Sequence, residues 1–169
     1  MFNALFSAKG RMRRRDWWLW SIVVIVAILM SEGLMHRFFG TASFKEDVDF
    51  KGLPTNGLHY WLIFLGIVGQ WPHICLTAKR WHDRNRSGWL PAIGAAIYLP
   101  QTVLMHWGDA VSGYAPQFVV GAVQAVLGIA AAIYAIWVLI DCGILDGTQG
   151  QNRYGPSPKG VGAQLEDVF

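Results

Sequence analysis

Residues 17–35, WWLWSIVVIVAILMSEGLM, decide the fold class of this chain. The stretch from Ser21 to Met30 is apolar apart from its serine, and no charged residue lies in the central part of the segment. An α-helix of about 20 residues crosses the ~30 Å hydrocarbon core of a bilayer. Because a helix satisfies its own backbone hydrogen bonds, we expect this segment to span a membrane as a helix.

Three more apolar segments of similar length follow, at 58–78, 88–107 and 118–140. Charged residues make up 15% of the chain, whereas a soluble domain carries about 25%. The hydrophobic content of 53% excludes intrinsic disorder, which needs few apolar residues and many charges. The sequence therefore predicts an all-α, polytopic membrane protein with four transmembrane helices. We expect one domain over 1–158 and a flexible tail over 159–169.

Lysine and arginine are distributed unevenly around these spans. Five lie before the first span, four after the second span and two in the C-terminal tail. Arg37, Lys45 and Lys51 are the three that lie on the opposite side. Since cytoplasmic loops carry the excess of basic residues, we predict that both termini lie in the cytoplasm.

Three polar segments, 2–18, 79–89 and 147–158, carry recognisable motifs between and around the spans. They include KRWHDRNRSGW at 79–89 and NRYGPSP at 152–158. In this order, and together with four spans, they resemble family 805 of the domains of unknown function, the YhaH-type bacterial inner-membrane proteins. Lys79, Trp81 and Leu90 depart from the family's usual Arg, Leu and Trp.

The resemblance implies the bacterial inner membrane and a multi-pass topology, and it implies no established biochemical activity. It also implies structural roles for the motif residues Gly10, Trp18, Ser87, Gly88, Trp89, Asn152, Tyr154, Gly155 and Pro158.

The segment 79–89 contains one acidic residue, Asp83, close to Arg80, Arg84 and Arg86. We expect its carboxylate to pair with these guanidinium groups and to organise them. Ser87 is placed to cap the first free N–H groups of the third span. These features predict a tight, folded turn between the second and third spans.

Two interpretations of the basic residues remain open. They are a structural turn combined with a positive-inside signal, or a site for anionic lipid headgroups or the acidic surface of a partner protein. Nucleic acid is disfavoured as a partner, because the adjacent span ends already explain the charge. The residues we predict for anionic lipid or partner binding are Arg11, Arg14, Arg80, His82, Asp83, Arg84 and Arg86.

The two ends of the chain have different characters. Phe2, Leu5 and Phe6 follow helical spacing, and with the bases that follow they predict an interfacial segment drawn to anionic lipid. The segment 147–158 is rich in Gly, Asn and Pro, which predicts turns. We expect Asn152 and Tyr154 to dock it on the cytoplasmic ends of the helices.

Polar residues inside the spans allow two interpretations. Gln70 and His73 share a helical face of the second span, and Gln101 lies in the third. Such residues usually face the interior of a bundle. Their role is either to form hydrogen bonds between helices or to line a polar translocation path.

The fourth span carries small residues at helical spacing, Gly121, Ala125, Gly128 and Ala132. Small residues allow close approach of helices, either inside the bundle or in a homo-oligomer.

We predict no catalytic, cofactor-binding or metal-binding residues. The sequence contains no CxxC pair and no His/Cys cluster with metal spacing, and no nucleophile lies beside His82. The preferred function is a non-enzymatic scaffold or regulatory module that binds membrane lipids or a membrane-protein partner. The alternative is a small oligomeric transporter or channel. An enzyme acting on a lipid-linked substrate is the third class, and the sequence offers it no acid, base and nucleophile set.

Overall fold

The computed structural model describes residues 5–39, 57–112 and 116–160. Phe2, the acidic connection with Lys45 and Lys51, and the end of the tail lie outside these ranges. All regular elements in the described ranges are helices: α1 (Arg14–Phe39), α2 (Gly57–Val68), α3 (Gln70–Asp83), α4 (Leu90–Ser112), α5 (Gln117–Val138) and a π-helical turn (Leu139–Ile144) that continues α5.

Three helical stretches are long and apolar enough to cross a membrane. They are Arg14–Phe38, Tyr60–Asp83 and Gln117–Ile144, and Leu90–Met105 is a shorter apolar helix. The predicted class, an all-helical protein with apolar helices able to span a membrane, is confirmed.

The second predicted span differs from a single helix over 58–78. Gly69 interrupts it between α2 and α3, and Pro72 lies in the first turn of α3, where the missing N–H costs little. Helix α3 also continues beyond residue 78 to Asp83. The polar residues of this last turn remain helical because they are buried and their charges are paired.

The turn after α3 ends the helix in a Schellman motif. The N–H of Arg86 donates to the Trp81 carbonyl at 2.8 Å, and the N–H of Asn85 donates to the His82 carbonyl at 3.0 Å. Asn85 has a φ of 58°, the left-handed conformation that this motif requires at its first residue beyond the helix. Ser87 Oγ then accepts the N–H of Trp89 at 3.3 Å, just before α4 begins. The predicted tight turn is therefore present over 84–89.

The chain forms two compact units. The first consists of Met1–Val24, Trp71–Gly94 and Tyr134–Phe169. Its core combines apolar groups with a buried polar layer. The Trp81 ring, fully buried, lies 5.4 Å from the Trp137 ring.

The second unit consists of Ile25–Gln70 and Ala95–Ile133. Its helices expose large apolar side chains, among them Met30 and Val126, as expected of surfaces that face lipid. Inside it, Gln124 Nε2 donates to the Leu104 carbonyl at 2.7 Å. The predicted single domain over 1–158 stays a prediction.

Candidate functional site

Asp83 lies at the centre of a buried ionic cluster in the first unit. Its Oδ1 is 2.9 Å from Arg11 Nη2, and its Oδ2 is 2.5 Å from Arg80 Nη1. The three side chains are at most 3% exposed. Removing one member of such a buried ionic group leaves an uncompensated charge, which is costly, so this cluster fixes the end of α3 and the N-terminal segment together.

A second buried carboxylate, Asp141, lies in the π-helical turn. Its Oδ2 accepts the indole N–H of Trp81 at 2.5 Å. Its Oδ1 lies 2.8 Å from Arg84 Nη1 and 3.4 Å from Arg86 Nη2. The expectation that Asp83 organises Arg84 and Arg86 is therefore wrong, because these two arginines pair with Asp141.

Sequence reasoning missed Asp141. The signal was a single carboxylate directly after a long apolar run, at the point where the predicted fourth span ends. Such a residue needs a buried cation as partner, and the arginines after α3 are the available group. Turns of π-helix occur frequently at functional sites, so we include Asp141 in the candidate site.

Arginines also satisfy the backbone at the end of this helix. Arg80 Nε donates to the Cys142 carbonyl at 2.8 Å, and Arg80 Nη2 donates to the Leu145 carbonyl. Arg14 Nη1 donates to the Ile144 carbonyl at 2.6 Å. The last carbonyls of a helix have no partner inside the helix, and they favour cations through the helix dipole. The π-helical turn is thus held by guanidinium groups from α1 and α3.

The cluster carries more positive than negative charge. Four guanidinium groups share two carboxylates, and charges in a poorly solvated site interact more strongly than in water. We refer to these six residues as the arginine–aspartate centre: Arg11, Arg80, Arg84, Arg86, Asp83 and Asp141.

The tail segment, residues 147–160, lies against this centre. Asn152 Nδ2 donates to the His82 carbonyl at 2.9 Å, and the Tyr154 ring stacks on the His82 ring at 3.8 Å with an interplanar angle of 14°. His82 also contacts the N-terminal segment, because its Nδ1 lies 3.0 Å from the Gly10 carbonyl. His82 therefore joins the N-terminal segment, α3 and the tail.

Two motif glycines are required by space. A Cβ on Gly147 would lie 1.8 Å from Asp83 Oδ2, and a Cβ on Gly88 would lie 2.3 Å from His82 Nε2. Each glycine lets the backbone approach a buried polar side chain closely. Gly155 has a φ of 120°, a conformation that other residues rarely adopt.

The predicted binding residues fall into two groups. Arg11, Arg80 and Asp83 are buried in ion pairs, so in this conformation they hold the fold and are not presented to a headgroup. Arg14 and Arg86 form a more exposed group, which we call the rim of the centre: their side chains are 46% and 42% exposed.

At this rim, the exposed Asp146 accepts a hydrogen bond from Lys159 Nζ at 3.3 Å. This hydrogen bond, together with the charges of Lys159 and Arg14, lowers the pKa of Asp146 from its usual value.

The predicted intramembrane polar residues are not gathered into one site by the described contacts. His73 Nδ1 lies 3.2 Å from Thr77 Oγ1, one turn along α3. In the second unit, Gln101 Oε1 is buried and has no hydrogen-bond partner among the described residues. Of the small residues on α5, Gly121 has space for a Cβ: apart from its own stretch of helix, no described atom would lie within 4 Å of it. Among the described residues, no group of three or more His, Cys, Asp or Glu is arranged to hold a metal ion.

Apolar helices long enough to cross a membrane, together with the buried ionic cluster of the first unit, indicate a helical membrane protein. A family model described as "Protein of unknown function (DUF805)" matches residues 5–156, and the chain belongs to this family. The resemblance predicted from the motifs is confirmed.

The uncharacterized protein YiiR of Escherichia coli K12 is 30% identical to this chain over 166 residues. The alignment covers 93% of this chain and 89% of YiiR. The YiiR protein of Escherichia coli O157:H7 gives the same identity and coverage. No solved structure matches the chain significantly.

Proposed function

We propose that this protein is a non-enzymatic scaffold or accessory module of the bacterial inner membrane. Its basic end, built around the arginine–aspartate centre, lies in the cytoplasm and binds anionic lipid headgroups. One observation carries the proposal: four guanidinium groups share two carboxylates at the end of apolar helices. Such an excess of positive charge favours an anionic surface.

The rim of the centre and its exposed neighbours supply the groups that would meet the headgroups. The Arg15 side chain is 78% exposed, Lys9 is exposed, and the neighbouring Trp89 is 82% exposed. Basic residues near an anionic leaflet contribute about 1 kcal/mol each, and tryptophan prefers the headgroup level. The combination of exposed bases with an exposed indole supports contact with a membrane surface.

The same charge distribution supports the proposed orientation. The described residues of the first unit include 11 lysines and arginines but only 4 aspartates. By the positive-inside rule this end is cytoplasmic, and the described residues nearest to both termini belong to this unit. A reporter that is active only outside the cytoplasm, fused after Phe169, is expected to stay silent. A strong signal from it would reverse the orientation.

A non-enzymatic role is favoured by the way the polar groups are used. Asp83 and Asp141 are saturated by guanidinium and indole donors, and the His82 ring is stacked on Tyr154. A general acid or base must reach the proton that it transfers, and these groups are occupied by structural contacts.

One observation favours the alternative of an oligomeric transporter. Gln101 Oε1 lies buried in the second unit with no hydrogen-bond partner in the part of the chain that the structure describes, and polar groups in such places are often functional. We rank this second, because a single amide does not make a path.

The lipid proposal is tested in nanodiscs of phosphatidylcholine with and without phosphatidylglycerol. We expect phosphatidylglycerol to be enriched around the protein, as measured by the lipids that co-purify on extraction. The double variant Lys9→Gln/Arg15→Gln should reduce this enrichment. The matched control is Arg37→Gln, which removes an exposed base from the opposite end of α1. Equal enrichment in all three proteins would overturn the proposal and favour an acidic protein partner.

A further inference from the structure

The tail segment, residues 147–160, contains no acidic residue, yet it covers arginines of the N-terminal segment. Arg11 Nη2 donates to the Thr148 carbonyl at 2.6 Å. Its Nη1 donates to the carbonyls of Gly150 and Gly155 at 2.7 and 3.0 Å. Arg13 Nε donates to the Pro158 carbonyl. Arg11 Nη2 also lies 3.3 Å from the hydroxyl of Thr148. The acceptors that the tail offers to these two arginines are therefore neutral carbonyls and one neutral hydroxyl.

Neutral acceptors satisfy the donors and add no counter-charge. The one carboxylate beside Arg11, that of Asp83, is shared with Arg80. A hydrogen bond from a guanidinium to a phosphate oxygen joins two opposite charges, whereas a bond to a carbonyl joins a charge to a neutral dipole. The planar fork of arginine also matches the oxygens of a phosphate. A phosphate oxygen would therefore be a better acceptor for Arg11 and Arg13 than the carbonyls now in place.

Three residues of the tail attach it to the end of α3. Asn152 and Tyr154 attach it to His82. Thr148 attaches it to the Asp83 carbonyl through its N–H at 2.8 Å and its Oγ1 at 2.9 Å. No residue of the segment 147–160 is fully buried, and segments with little apolar burial open locally at lower cost than a packed core.

Space also lies beside the tail. A cavity of about 210 Å³ is lined by residues of the tail and its neighbours, among them Asp146, Gly147, Ser157 and Lys159. The tail is thus not packed closely along its whole length.

We propose that Arg11 and Arg13 form a phosphate-binding site that the tail segment masks. A phosphate oxyanion displaces the tail carbonyls and takes their hydrogen bonds. The oxyanion belongs either to the phosphodiester of an anionic lipid or to free inorganic phosphate. This inference rests on the proposed function, because it requires the basic end to meet such anions.

The first test releases the tail by the double substitution Asn152→Ala/Tyr154→Ala. Phosphatidylglycerol binding in nanodiscs should become about fivefold tighter for each arginine unmasked. The matched control is Gln151→Ala, which alters an exposed side chain between the same turns. Adding Arg13→Gln to the released variant should remove most of the gain. A gain that does not need Arg13 overturns the proposal, as does a folded released variant that shows no gain.

The second test uses the wild-type chain, so it stands even if the released variant does not fold. Amide hydrogen exchange of residues 147–160 is compared in three samples: phosphatidylcholine nanodiscs, the same nanodiscs with millimolar inorganic phosphate, and phosphatidylglycerol nanodiscs. Faster exchange in the phosphatidylglycerol sample alone identifies a lipid headgroup, and faster exchange with added phosphate identifies the free anion. Unchanged exchange in all three overturns the masking.

The two proposals fail in different ways. If Lys9→Gln/Arg15→Gln lowers lipid enrichment while the tail exchanges equally in every sample, the basic end binds lipid and the masking is wrong. If phosphatidylglycerol is not enriched around the wild-type protein, the proposed function itself is wrong.

Discussion

Arg11 Nη2 lies 2.9 Å from Asp83 Oδ1, although 72 positions separate the two residues in the chain. This ion pair fixes the N-terminal segment to the end of α3, and Arg80 completes the group from the preceding turn of that helix. Since all three side chains are buried, the carboxylate is the counterion for two guanidinium groups that water does not reach. The stability of the first unit should therefore depend strongly on Asp83.

Asp83→Asn tests that dependence. The substitution keeps the shape of the side chain and removes the charge, which leaves Arg11 and Arg80 buried without a counterion. Breaking a buried ionic group in this way costs about 3–5 kcal/mol, so we expect a markedly lower melting temperature in detergent. Asp146→Asn, at an exposed carboxylate, is the matched control. Equal melting temperatures for the two variants would show that the Asp83 cluster is solvated.

Gly147→Ala tests how closely the tail approaches this carboxylate. A Cβ at this position would lie 1.8 Å from Asp83 Oδ2, so either the tail or the carboxylate must move. Overpacking of this kind costs about 1–3 kcal/mol, and we expect lower thermal stability together with faster proteolysis of the tail. Gly121→Ala, where the added group would lie within 4 Å of no described residue outside its own stretch of helix, should leave both unchanged. A Gly147→Ala protein as stable as Gly121→Ala would contradict the observed packing.

Some of this arrangement follows from the sequence and some does not. The helical class was predictable because a run of about 20 apolar residues has few alternatives in a membrane. The turns that carry Asn152 and Tyr154 were recognisable from their Gly, Asn and Pro content. The partner of Asp141 was not predictable, because local spacing does not show which arginines a carboxylate meets in three dimensions. The same limit led to the assignment of Arg84 to Asp83.

The docking of the tail should be visible in the titration of Asp146. The hydrogen bond from Lys159 and the charges nearby lower the pKa of this carboxyl below its ordinary 3.8. A lowered pKa means that the ionised form favours the docked tail. That contribution is complete above the ordinary pKa, and it is lost as the pH falls through the lowered one.

Lys159→Gln should therefore raise the pKa of Asp146 towards its ordinary value, as measured by carboxyl NMR. The released variant Asn152→Ala/Tyr154→Ala should do the same, because it detaches the segment that carries Lys159. Gln151→Ala should leave the titration as in the wild type. A pKa that is unchanged in Lys159→Gln would show that the observed contact does not persist in the membrane.

Gln101 distinguishes a structural role of the intramembrane polar groups from a transport role. Its Oε1 is buried and has no partner within residues 5–39, 57–112 and 116–160 as far as they are described, whereas Gln124 Nε2 donates to the Leu104 carbonyl at 2.7 Å. An unsatisfied buried acceptor destabilises a fold, so Gln101→Leu should maintain or raise thermal stability. Gln124→Leu should lower it by about 0.6 kcal/mol, the average for a hydrogen bond between membrane helices.

The same two variants, reconstituted in liposomes, are assayed for leakage of protons and monovalent ions. For a scaffold we expect no specific flux from the wild type and none from either variant. A polar path would behave differently, because an amide oxygen without a protein partner is available to a passing ion or water. Gln101→Leu would then abolish a flux that the wild type shows while the protein stays as stable as before. That pair of results would replace the scaffold function with transport.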